Sequence, residues 1–344
     1  MGLQISEIVP KEEILFEDLK GKVIAVDAFN TLYQFLTTIR QPDGMPLTDK
    51  KARITSHLSG LFYRTTNLMT KGLKLIFVFD GKAPELKART HEKRAEVKRE
   101  AIAKFETAET MEEKAKYASR ISFLTDEMIE ESKELLHALG IPVVQAPGEG
   151  EAQAAFMARQ KDVYAAASQD YDSLAFGAPK LIRNLTLARK RKLASGLAVS
   201  IQPEMIELEK VLNSLGINID QLICLGILTG TDYNPGGVKG LGPKKSLQIV
   251  KQHKNPVQIF QAVQAQLHEA GGELEFDWNK IFELFKKPDV TKKYEIKFKD
   301  INEDKLKKLL VKEHDFSEER IDSAVKKVLE GKEEIKQASL KKFF

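Results

Sequence analysis

Seven acidic residues of this 344-residue sequence stand where short apolar runs end or helical patterns begin. Four of them follow apolar runs that read as strands, two open a helical pattern as an E-x-E pair, and one ends an apolar helical pattern. Because the carboxyl ends of the strands in an open α/β sheet meet at one edge, where ligands bind, we expect these side chains to converge there. The seven are Asp27, Asp80, Glu149, Glu151, Asp170, Asp172 and Asp232.

A cluster of this kind has to be neutralised. Carboxylates held close together repel one another by several kcal/mol and raise their own pKa values unless cations are present. Magnesium suits a site with few direct carboxylates, several waters and a substrate phosphate, and two such ions about 3.5–4 Å apart can activate water and stabilise the leaving oxygen of a phosphodiester. Any one of these acids alone is better explained as a turn or helix N-cap residue, but seven at one edge favour metal binding.

The elements that would carry these acids alternate between strand and helix. Four short apolar runs predict buried parallel strands, and the segments between them have helical patterns. This alternation predicts an α/β fold with a mostly parallel central sheet and helices on both faces. The strands are Lys22–Val26, Leu73–Phe79, Ile141–Val144 and Val163–Ser168, and the helices include Lys50–Lys71 and Glu151–Arg159.

From Pro203 onward the pattern is helical, which predicts a second, helical module. Near the end a helix over Ser317–Leu329 opens on a cap-like serine, and Gly331 is expected to stop it. The sequence shows no internal repeat. The other predicted helices of this half are Glu204–Leu212, Asp220–Leu228, Lys244–Lys251 and Asn255–Gln264.

Two basic regions lie next to the acids in sequence. Lys87 and Arg94 are seven residues apart in a very charged stretch, so on a helix they face the same way and can stabilise charge on a bound phosphate. From Ser173 to Pro203 there is no acidic residue, which suggests a surface that follows a phosphate backbone. A salt-bridged helix and a solvated loop are the respective alternatives. The basic residues of the second region include Arg189, Lys190, Arg191 and Lys192.

A glycine-rich connection, Pro235–Lys245, joins two helical patterns. Glycines let backbone N–H groups approach phosphate oxygens closely, and the lysines that follow add charge. The connection is not a dinucleotide fingerprint, because it follows a helix instead of a strand. We favour sequence-independent duplex binding over a plain interhelical turn, with Gly237, Gly240, Gly242, Lys244 and Lys245 as the binding residues.

Composition excludes several classes of protein. Fifty-four Lys and Arg against 50 Asp and Glu give a net charge of +4, too mild to announce a polyanion ligand. Cys224 is the single cysteine, so no internal disulfide forms and a reducing, intracellular setting is expected. No apolar stretch approaches the roughly 18 residues of a membrane helix, and the acidic N-terminus does not resemble a signal peptide. A soluble, cytoplasmic protein without a membrane partner is the prediction.

The motifs together resemble the flap endonucleases of the XPG-type structure-specific 5′ nuclease family, essentially from end to end. The resemblance rests on long motifs in the same order along the chain. They are Val26-Asp27-Ala28-Phe29, Thr55-Ser56-His57-Leu58, Phe62-Tyr63-Arg64, Phe77-Val-Phe-Asp-Gly-Lys-Ala-Pro-Glu-Leu-Lys87, Ala146-Pro-Gly-Glu-Gly-Glu-Ala-Gln-Ala154, Ser168-Gln-Asp-Tyr-Asp172 and Leu228-Thr-Gly-Thr-Asp-Tyr233.

The resemblance implies roles for these residues. The seven acids would hold two magnesium ions, with manganese able to replace them, while Lys87 and Arg94 contact the scissile phosphate and Tyr33 stacks near the adjoining nucleotide. The glycine connection would be the family's helix-two-turn-helix element, which grips the duplex with a potassium ion. The charged stretch would form a helical arch for the 5′ strand. The implied domains are 1–200, with the arch at about 82–138, then 201–330 and a flexible tail, 331–344.

The last eight residues fit the box by which proteins bind the sliding clamp (PCNA). As one helical turn they would present an aliphatic and two aromatic side chains to an apolar pocket, with a glutamine as the polar contact. Docking of the tail on its own domain is the alternative. The residues of the box are Gln337, Leu340, Phe343 and Phe344.

The function implied is magnesium-dependent cleavage of 5′ flaps at the junction of single strand and duplex, with 5′–3′ exonuclease activity, in Okazaki fragment processing and repair. The enzyme would be a monomer, cytoplasmic in an archaeon and nuclear in a eukaryote. One alternative is a related 5′ nuclease that prefers bubbles or junctions. Another is a catalytically silent scaffold for DNA and the clamp, and a third, a metal-dependent phosphatase, leaves the glycine connection, the basic tracts and the clamp box unexplained.

Overall fold

The computed structural model divides into two compact units, each assembled from separate segments of the chain. Unit I comprises Met1–Ile14, Asp80–Lys93 and Gln145–Lys292, and unit II comprises Leu15–Phe79, Arg94–Val144 and Lys293–Phe344. The structure describes residues 2–41, 43–82, 84–87, 96, 99–101, 103–104, 107–108, 110, 124–187, 190–192, 198–269 and 271–340.

The strands are short, as expected for apolar runs that end in Asp, Gly or Pro. In chain order, those of the described residues are β1 (Glu12–Glu13), β2 (Val23–Asp27), β3 (Lys74–Phe79), β4 (Val143–Gln145), β5 (Ala165–Ala167), β6 (Lys180–Arg183), β7 (Lys190–Lys192), β8 (Ala198–Ser200) and β9 (Glu204–Glu207).

The helices account for most of the remaining described chain. They are α1 (Ala28–Thr38), α2 (Ser56–Thr70), α3 (Asp126–Ala138), α4 (Gly150–Arg159), α5 (Asp172–Ala175), α6 (Leu208–Leu215), α7 (Ile219–Thr229), α8 (Pro243–Gln252), α9 (Pro256–Glu269), α10 (Trp278–Lys286), α11 (Glu303–Leu306) and α12 (Glu318–Leu340). Short 3₁₀ helices occupy Phe16–Leu19 and Glu85–Lys87, and a π-helix occupies Lys307–Glu313.

In unit I, β5 and β6 pair in parallel, with Ala166 opposite Leu181. The next strand outward, β9, runs antiparallel to β6, and β1 runs antiparallel to β9. Unit I also contains α7, in which every residue from Gln221 to Thr229 is buried and whose first turn is capped by Asn218 and Gln221. A helix buried all round has to be apolar all round, which explains the run around Cys224.

In unit II, β2 and β3 pair in parallel, and Asp27 at the end of β2 stands opposite Val78. The residues of both strands are mostly apolar and several are β-branched, as is usual for a buried parallel pair. The core of this unit includes Phe35 of α1, Phe62 of α2 and Phe77 of β3, all fully buried. The α/β class and the mostly parallel sheet predicted from the sequence are confirmed.

The prediction of a helix over Glu204–Leu212 was wrong at its start. Glu204–Glu207 is strand β9, and the helix begins at Leu208. Met205 and Ile206 are an apolar pair that fits either period, so local pattern cannot separate the two. Pairing with Lys180–Arg183 on one side and Glu12–Glu13 on the other selects the strand.

The predicted helix Lys50–Lys71 begins later, at Ser56, because the residues before it form a turn in which Thr48 bridges Ile54. The prediction that Gly331 ends the last helix was also wrong, since α12 continues through it to Leu340. A Cβ atom at residue 331 would lie 2.9 Å from the carbonyl oxygen of Thr70. Glycine is therefore explained by close packing of α12 on α2.

About half of the predicted arch, about 82–138, lies outside the described residues, and its last part is helix α3. The domain boundaries predicted from the sequence stay predictions. Within the described part of the chain, no single helix has the length and apolar content to cross a membrane. The helices Leu208–Leu215 and Ile219–Thr229 meet that compositional test only as a pair, and they are bent by 80°.

Candidate active site

The loop after β3 and the start of α4 are joined through Asp80. Its carboxylate accepts a hydrogen bond of 2.8 Å from the N–H of Gly150, at the helix N-terminus, where a negative charge is favourable. The N–H of Gly81 donates to the carbonyl of Gly148 at 2.7 Å. A Cβ atom at Gly81 would lie only 2.2 Å from the carbonyl oxygen of Ala146, so this approach requires glycine. The contact places Asp80 beside the E-x-E pair.

Lys87 enters the same cluster from the 3₁₀ helix that follows Asp80. Its ammonium is ion-paired with Glu149 and lies 3.7 Å from a carboxylate oxygen of Asp232. The Tyr233 hydroxyl donates a hydrogen bond to the other oxygen of Glu149, and the Tyr233 ring packs edge-on against Phe285 with centroids 5.4 Å apart. The residues around Glu149 thus come from three separate stretches of unit I.

The D-x-D pair is held by the start of the chain. The N–H of Leu3 donates to Asp172 at 2.6 Å, and that of Gly2 donates to Asp170 at 3.3 Å. A Cβ atom at Gly2 would lie 2.7 Å from the Cβ of Asp170, so only glycine fits. Asp172 is 7% exposed and begins α5. These backbone amides supply one hydrogen bond to each carboxylate of the D-x-D pair.

Two acids of the cluster, Asp80 and Asp172, have raised pKa values. Burial raises the pKa of Asp80 to about 6, and the nearby charges of Glu149 and Asp232 add to the rise. Burial raises the pKa of Asp172 to about 8, with the charges of Asp170, Asp232 and Glu149 adding to it. Because these acids raise one another's pKa, a bound cation would lower all of them together.

The pKa of Lys87 is also raised, but by the neighbouring negative charges and not by burial. Burial alone lowers the pKa of its ammonium, but the charges of Glu149, Asp232 and Asp80 outweigh burial and raise the pKa above its usual value. Lys87 therefore stays charged and neutralises part of the cluster. Six of the seven predicted ligands, all except Asp27, lie in unit I.

The donor set fits hard divalent cations. In the described residues, no group of three or more potential ligands is arranged to hold a metal ion as it stands, and Lys87 lies between two of the acids instead. The ligands offered are all carboxylates, partly buried and mutually repelling, which is the chemistry that magnesium prefers. Movement of the Lys87 ammonium away from Glu149 would expose oxygens for such an ion.

Two further predicted residues lie in unit II. Asp27 is 6% exposed and caps α1 by accepting a hydrogen bond of 3.1 Å from the N–H of Asn30. Tyr33 is on the same helix with 43% of its side chain exposed, as a residue that stacks on a base requires. Arg94, the second predicted phosphate contact, lies outside the described residues.

The glycine connection contains three glycines in the left-handed region of backbone conformation. Gly236, Gly237 and Gly240 have positive φ angles of 89°, 59° and 85°. At Gly237 a Cβ atom would lie 2.3 Å from the carbonyl oxygen of Leu228, so the loop turns back onto the end of α7. The loop leads into the N-terminus of α8, on which Lys244 and Lys245 are exposed.

The remaining predicted binding residues are described only in part. Lys190, Arg191 and Lys192 form β7, which pairs antiparallel with β8, while Arg189 is outside the described residues. In the clamp box, Gln337 and Leu340 belong to the last turns of α12, with Gln337 exposed. Phe343 and Phe344 are outside the described residues.

Sequence reasoning missed three parts of the site. Tyr233 was noticed only as a motif residue, and its position next to Asp232 was the available signal. The backbone amides of Gly2 and Leu3 left no signal, because any residue type carries an N–H and only the close packing of Gly2 marks the contact. The ion pairs of Lys87 with Glu149 and Asp232 depend on distant segments and could not be read from spacing.

Comparison with protein families gives two matches along the chain. The XPG N-terminal domain matches residues 4–101, and the XPG I-region matches residues 140–232. Together they span more than half of the sequence and include all seven acids.

Curated relatives and solved structures agree with these matches. The chain is 54% identical to Flap endonuclease 1 of Hyperthermus butylicus over 89% of this chain and 88% of that protein. It is 50% identical to Flap endonuclease 1 of Pyrococcus furiosus over 100% of this chain and 99% of that protein. Flap endonuclease-1 from Methanococcus jannaschii superposes with a TM-score of 0.76 at 42% identity, covering 96% of this chain and 98% of that one. The catalytic core of Rad2 in complex with a DNA substrate superposes with a TM-score of 0.70 at 25% identity, covering 92% and 96%.

Proposed function

This chain belongs to the flap endonucleases of the XPG family, and from that membership we infer that it cuts 5′ single-stranded flaps from duplex DNA. It is a nuclease, and the nucleases of this family depend on metal ions. The structural observation that supports this assignment is a partly buried cluster of carboxylates with Lys87 among them. Its acids include Asp80, Glu149, Asp172 and Asp232.

For the cofactor, we propose two magnesium ions, with manganese able to replace them. The all-carboxylate donor set and the raised pKa values of Asp80 and Asp172 support this proposal. The ions would be held by Asp27, Asp80, Glu149, Glu151, Asp170, Asp172 and Asp232. When bound, they supply an activated water and neutralise the leaving oxygen of a phosphodiester.

The chain's own residues position the substrate. Lys87 keeps its proton and, once released from Glu149, offers its ammonium to the scissile phosphate, where it offsets the negative charge that develops. Arg94 would assist it, and Tyr33 would stack on the neighbouring nucleotide. The glycine connection and the lysines of α8 would hold the duplex backbone, with a potassium ion among the loop carbonyls. The basic strand β7 and Arg189 would follow the phosphates without reading bases.

For partners, we propose branched DNA and the sliding clamp (PCNA). The clamp proposal rests on Gln337, Leu340, Phe343 and Phe344, of which Gln337 is exposed on α12. Deleting residues 337–344 is expected to remove stimulation by the clamp and leave basal flap cleavage unchanged. Equal stimulation of the shortened chain would contradict the proposal. We further propose a monomeric, cytoplasmic enzyme that acts in DNA replication and repair.

A panel of labelled DNA substrates tests the function. With magnesium, a 5′ flap is expected to be cut at its junction faster than a 3′ flap, a bubble, a four-way junction, plain duplex or single strand. Preference for the bubble or the junction would assign the chain to a related 5′ nuclease activity. Binding without cutting would support the scaffold alternative. A chelator and an Asp170→Ala variant serve as the controls.

A further inference from the structure

A short extended segment packs against the helix that carries the E-x-E pair. Residues 288–292, called here the strap, follow α10 without helix or strand structure and belong to unit I. Neither the sequence pattern nor the proposed function gives the strap a role. Its contacts with the start of α4 do.

The first contact is made by Gln153, a glutamine in α4 with no exposed surface. Its amide nitrogen donates to the carbonyl of Thr291 at 2.9 Å, and its amide oxygen accepts from the N–H of the same residue at 2.8 Å. The side chain thus pairs with one strap residue as a neighbouring strand would. A buried amide group without such partners would be strongly unfavourable, so the pair fixes the strap on the helix.

The second contact is made by the residue before the E-x-E pair. A Cβ atom at Gly148 would lie 3.2 Å from the carbonyl oxygen of Asp289, so the strap passes directly over this loop. From the other direction, the N–H of Gly81 donates to the carbonyl of Gly148 and the N–H of Lys82 to that of Pro147, at 2.7 and 3.0 Å. The loop that leads to Glu149 is therefore held by two segments.

Gln153 is also tied to the first turn of α4. Its backbone N–H donates to the carbonyl of Glu149 at 3.1 Å, and Glu151 lies between the two in sequence. A shift of the helix at Gln153 therefore moves both acids. Metal ligands have to be held within about 0.5 Å of their working positions by the residues behind them.

We propose that Gln153 is a positioning residue, which orients Glu149 and Glu151 for metal binding by clamping the start of α4 to the strap through Thr291. This inference rests on the proposed function, because it assigns to Gln153 a role in the carboxylate site. Gln153 itself touches neither substrate nor metal. The competing explanation is that the pair stabilises unit I and has no effect on the acids.

The chain offers a matched control in Gln221, a second buried glutamine of unit I. Its amide nitrogen donates to the carbonyls of Val250 and His253 at 2.6 and 3.0 Å, and it lies in the first turn of α7, at the opposite end of that helix from Asp232. The variants Gln153→Met and Gln221→Met remove comparable hydrogen bonds while keeping a side chain of similar length. Both are expected to lower the melting temperature.

The deciding measurement is calorimetric titration of the full-length protein with Mn²⁺ in the absence of DNA. Gln153→Met is expected to weaken Mn²⁺ binding by about tenfold or more, as for residues that support metal ligands, and Gln221→Met to bind as the wild type does. Single-turnover cleavage of a 5′ flap should show the matching pattern, with a lower rate at saturating DNA and an unchanged DNA affinity for Gln153→Met.

A second variant acts from the strap side. Thr291→Pro removes the N–H that donates to Gln153 and leaves α4 unchanged, so it keeps the test decisive if Gln153→Met does not fold. A folded Gln153→Met or Thr291→Pro protein that binds Mn²⁺ with wild-type affinity would overturn the inference. Failure of the wild type itself to bind Mn²⁺ would instead overturn the proposed metal site, which separates the two claims.

Discussion

The ammonium of Lys87 is ion-paired with Glu149 and lies 3.7 Å from the carboxylate of Asp232. One lysine thus bridges acids from two distant stretches of unit I. Six of the predicted metal ligands lie in this unit, and burial, together with the charges of neighbouring acids, raises the pKa values of Asp80 and Asp172. The acids of this cluster therefore disfavour one another's ionised forms.

The first prediction concerns Lys87. Lys87→Met is expected to lower the single-turnover rate of flap cleavage by about 10²–10³, as the loss of one positioned charge does at other active sites. Flap DNA binding in Ca²⁺ should change much less. Lys82→Met, which alters an exposed lysine of the same loop, is the control, and an equal loss of rate in that variant would contradict a specific role for Lys87.

The second prediction concerns pH. An acid whose pKa is higher in the folded than in the unfolded protein stabilises the fold below its unfolded pKa, and this stability is lost as pH rises through the folded pKa. For Asp80 the window runs from about 4 to about 6, and for Asp172 to about 8. In a chelator the protein is therefore expected to melt at a higher temperature at pH 5 than at pH 8.

His314 contributes in the same direction, because its pKa is also raised, by its partner Glu131 against the effect of burial. The variant Asp172→Asn separates the contributions, since it should flatten the dependence between pH 5 and 8. Excess Mg²⁺ should flatten it as well. A chelated wild type that is equally or more stable at pH 8 would show that the acids are not coupled as described.

The third prediction concerns Tyr233. Tyr233→Phe keeps the ring on Phe285 and removes only the hydrogen bond to Glu149. The Mg²⁺ concentration for half-maximal rate is expected to rise by about tenfold, because a ligand carboxylate loses the group that orients it. Tyr164→Phe, which removes a hydroxyl bonded to Lys180, is the control. An unchanged Mg²⁺ dependence in Tyr233→Phe would count against Glu149 as a ligand.

The fourth prediction concerns Gly331. Helix propensity alone would make Gly331→Ala stabilising by about 1 kcal/mol. The new Cβ atom would lie 2.9 Å from the carbonyl oxygen of Thr70, so α12 has to move away from α2. We expect the steric clash to outweigh the gain in helix propensity, so that the free energy of unfolding measured by urea denaturation falls. An increase in stability would mean that α12 is not packed this closely.

Sequence reasoning predicted those parts of the fold that depend on local pattern. The strands β2 and β3 and the acids that follow them could be read from apolar runs and their ends, since burial of a parallel strand requires such runs. The strand Glu204–Glu207 could not be predicted in this way, because its apolar pair fits a helix as well as a strand. Only the pairing with β6 selects the strand. Gly331 was predicted to end a helix because glycine often does so. Its actual role, close packing on Thr70, cannot be distinguished from a helix end by the sequence alone.

The candidate site divides in the same way. Residue types and spacing predicted the carboxylates, because metal chemistry restricts which side chains can serve. The groups that orient them, Tyr233, Gln153 and the amides of Gly2 and Leu3, are set by contacts between distant segments. Such contacts follow from the folded chain and leave no periodic pattern in the sequence.

The most direct test of the account is the single-turnover rate of 5′ flap cleavage in Mg²⁺ for the wild type and for Asp170→Asn, with flap binding measured in Ca²⁺. We predict that Asp170→Asn binds the flap at least as well as the wild type and cuts it slower by about 10³ or more, since it loses a carboxylate of the proposed metal site. An Asp170→Asn protein that cuts at a rate close to that of the wild type would contradict the assignment of the carboxylate cluster as the catalytic centre.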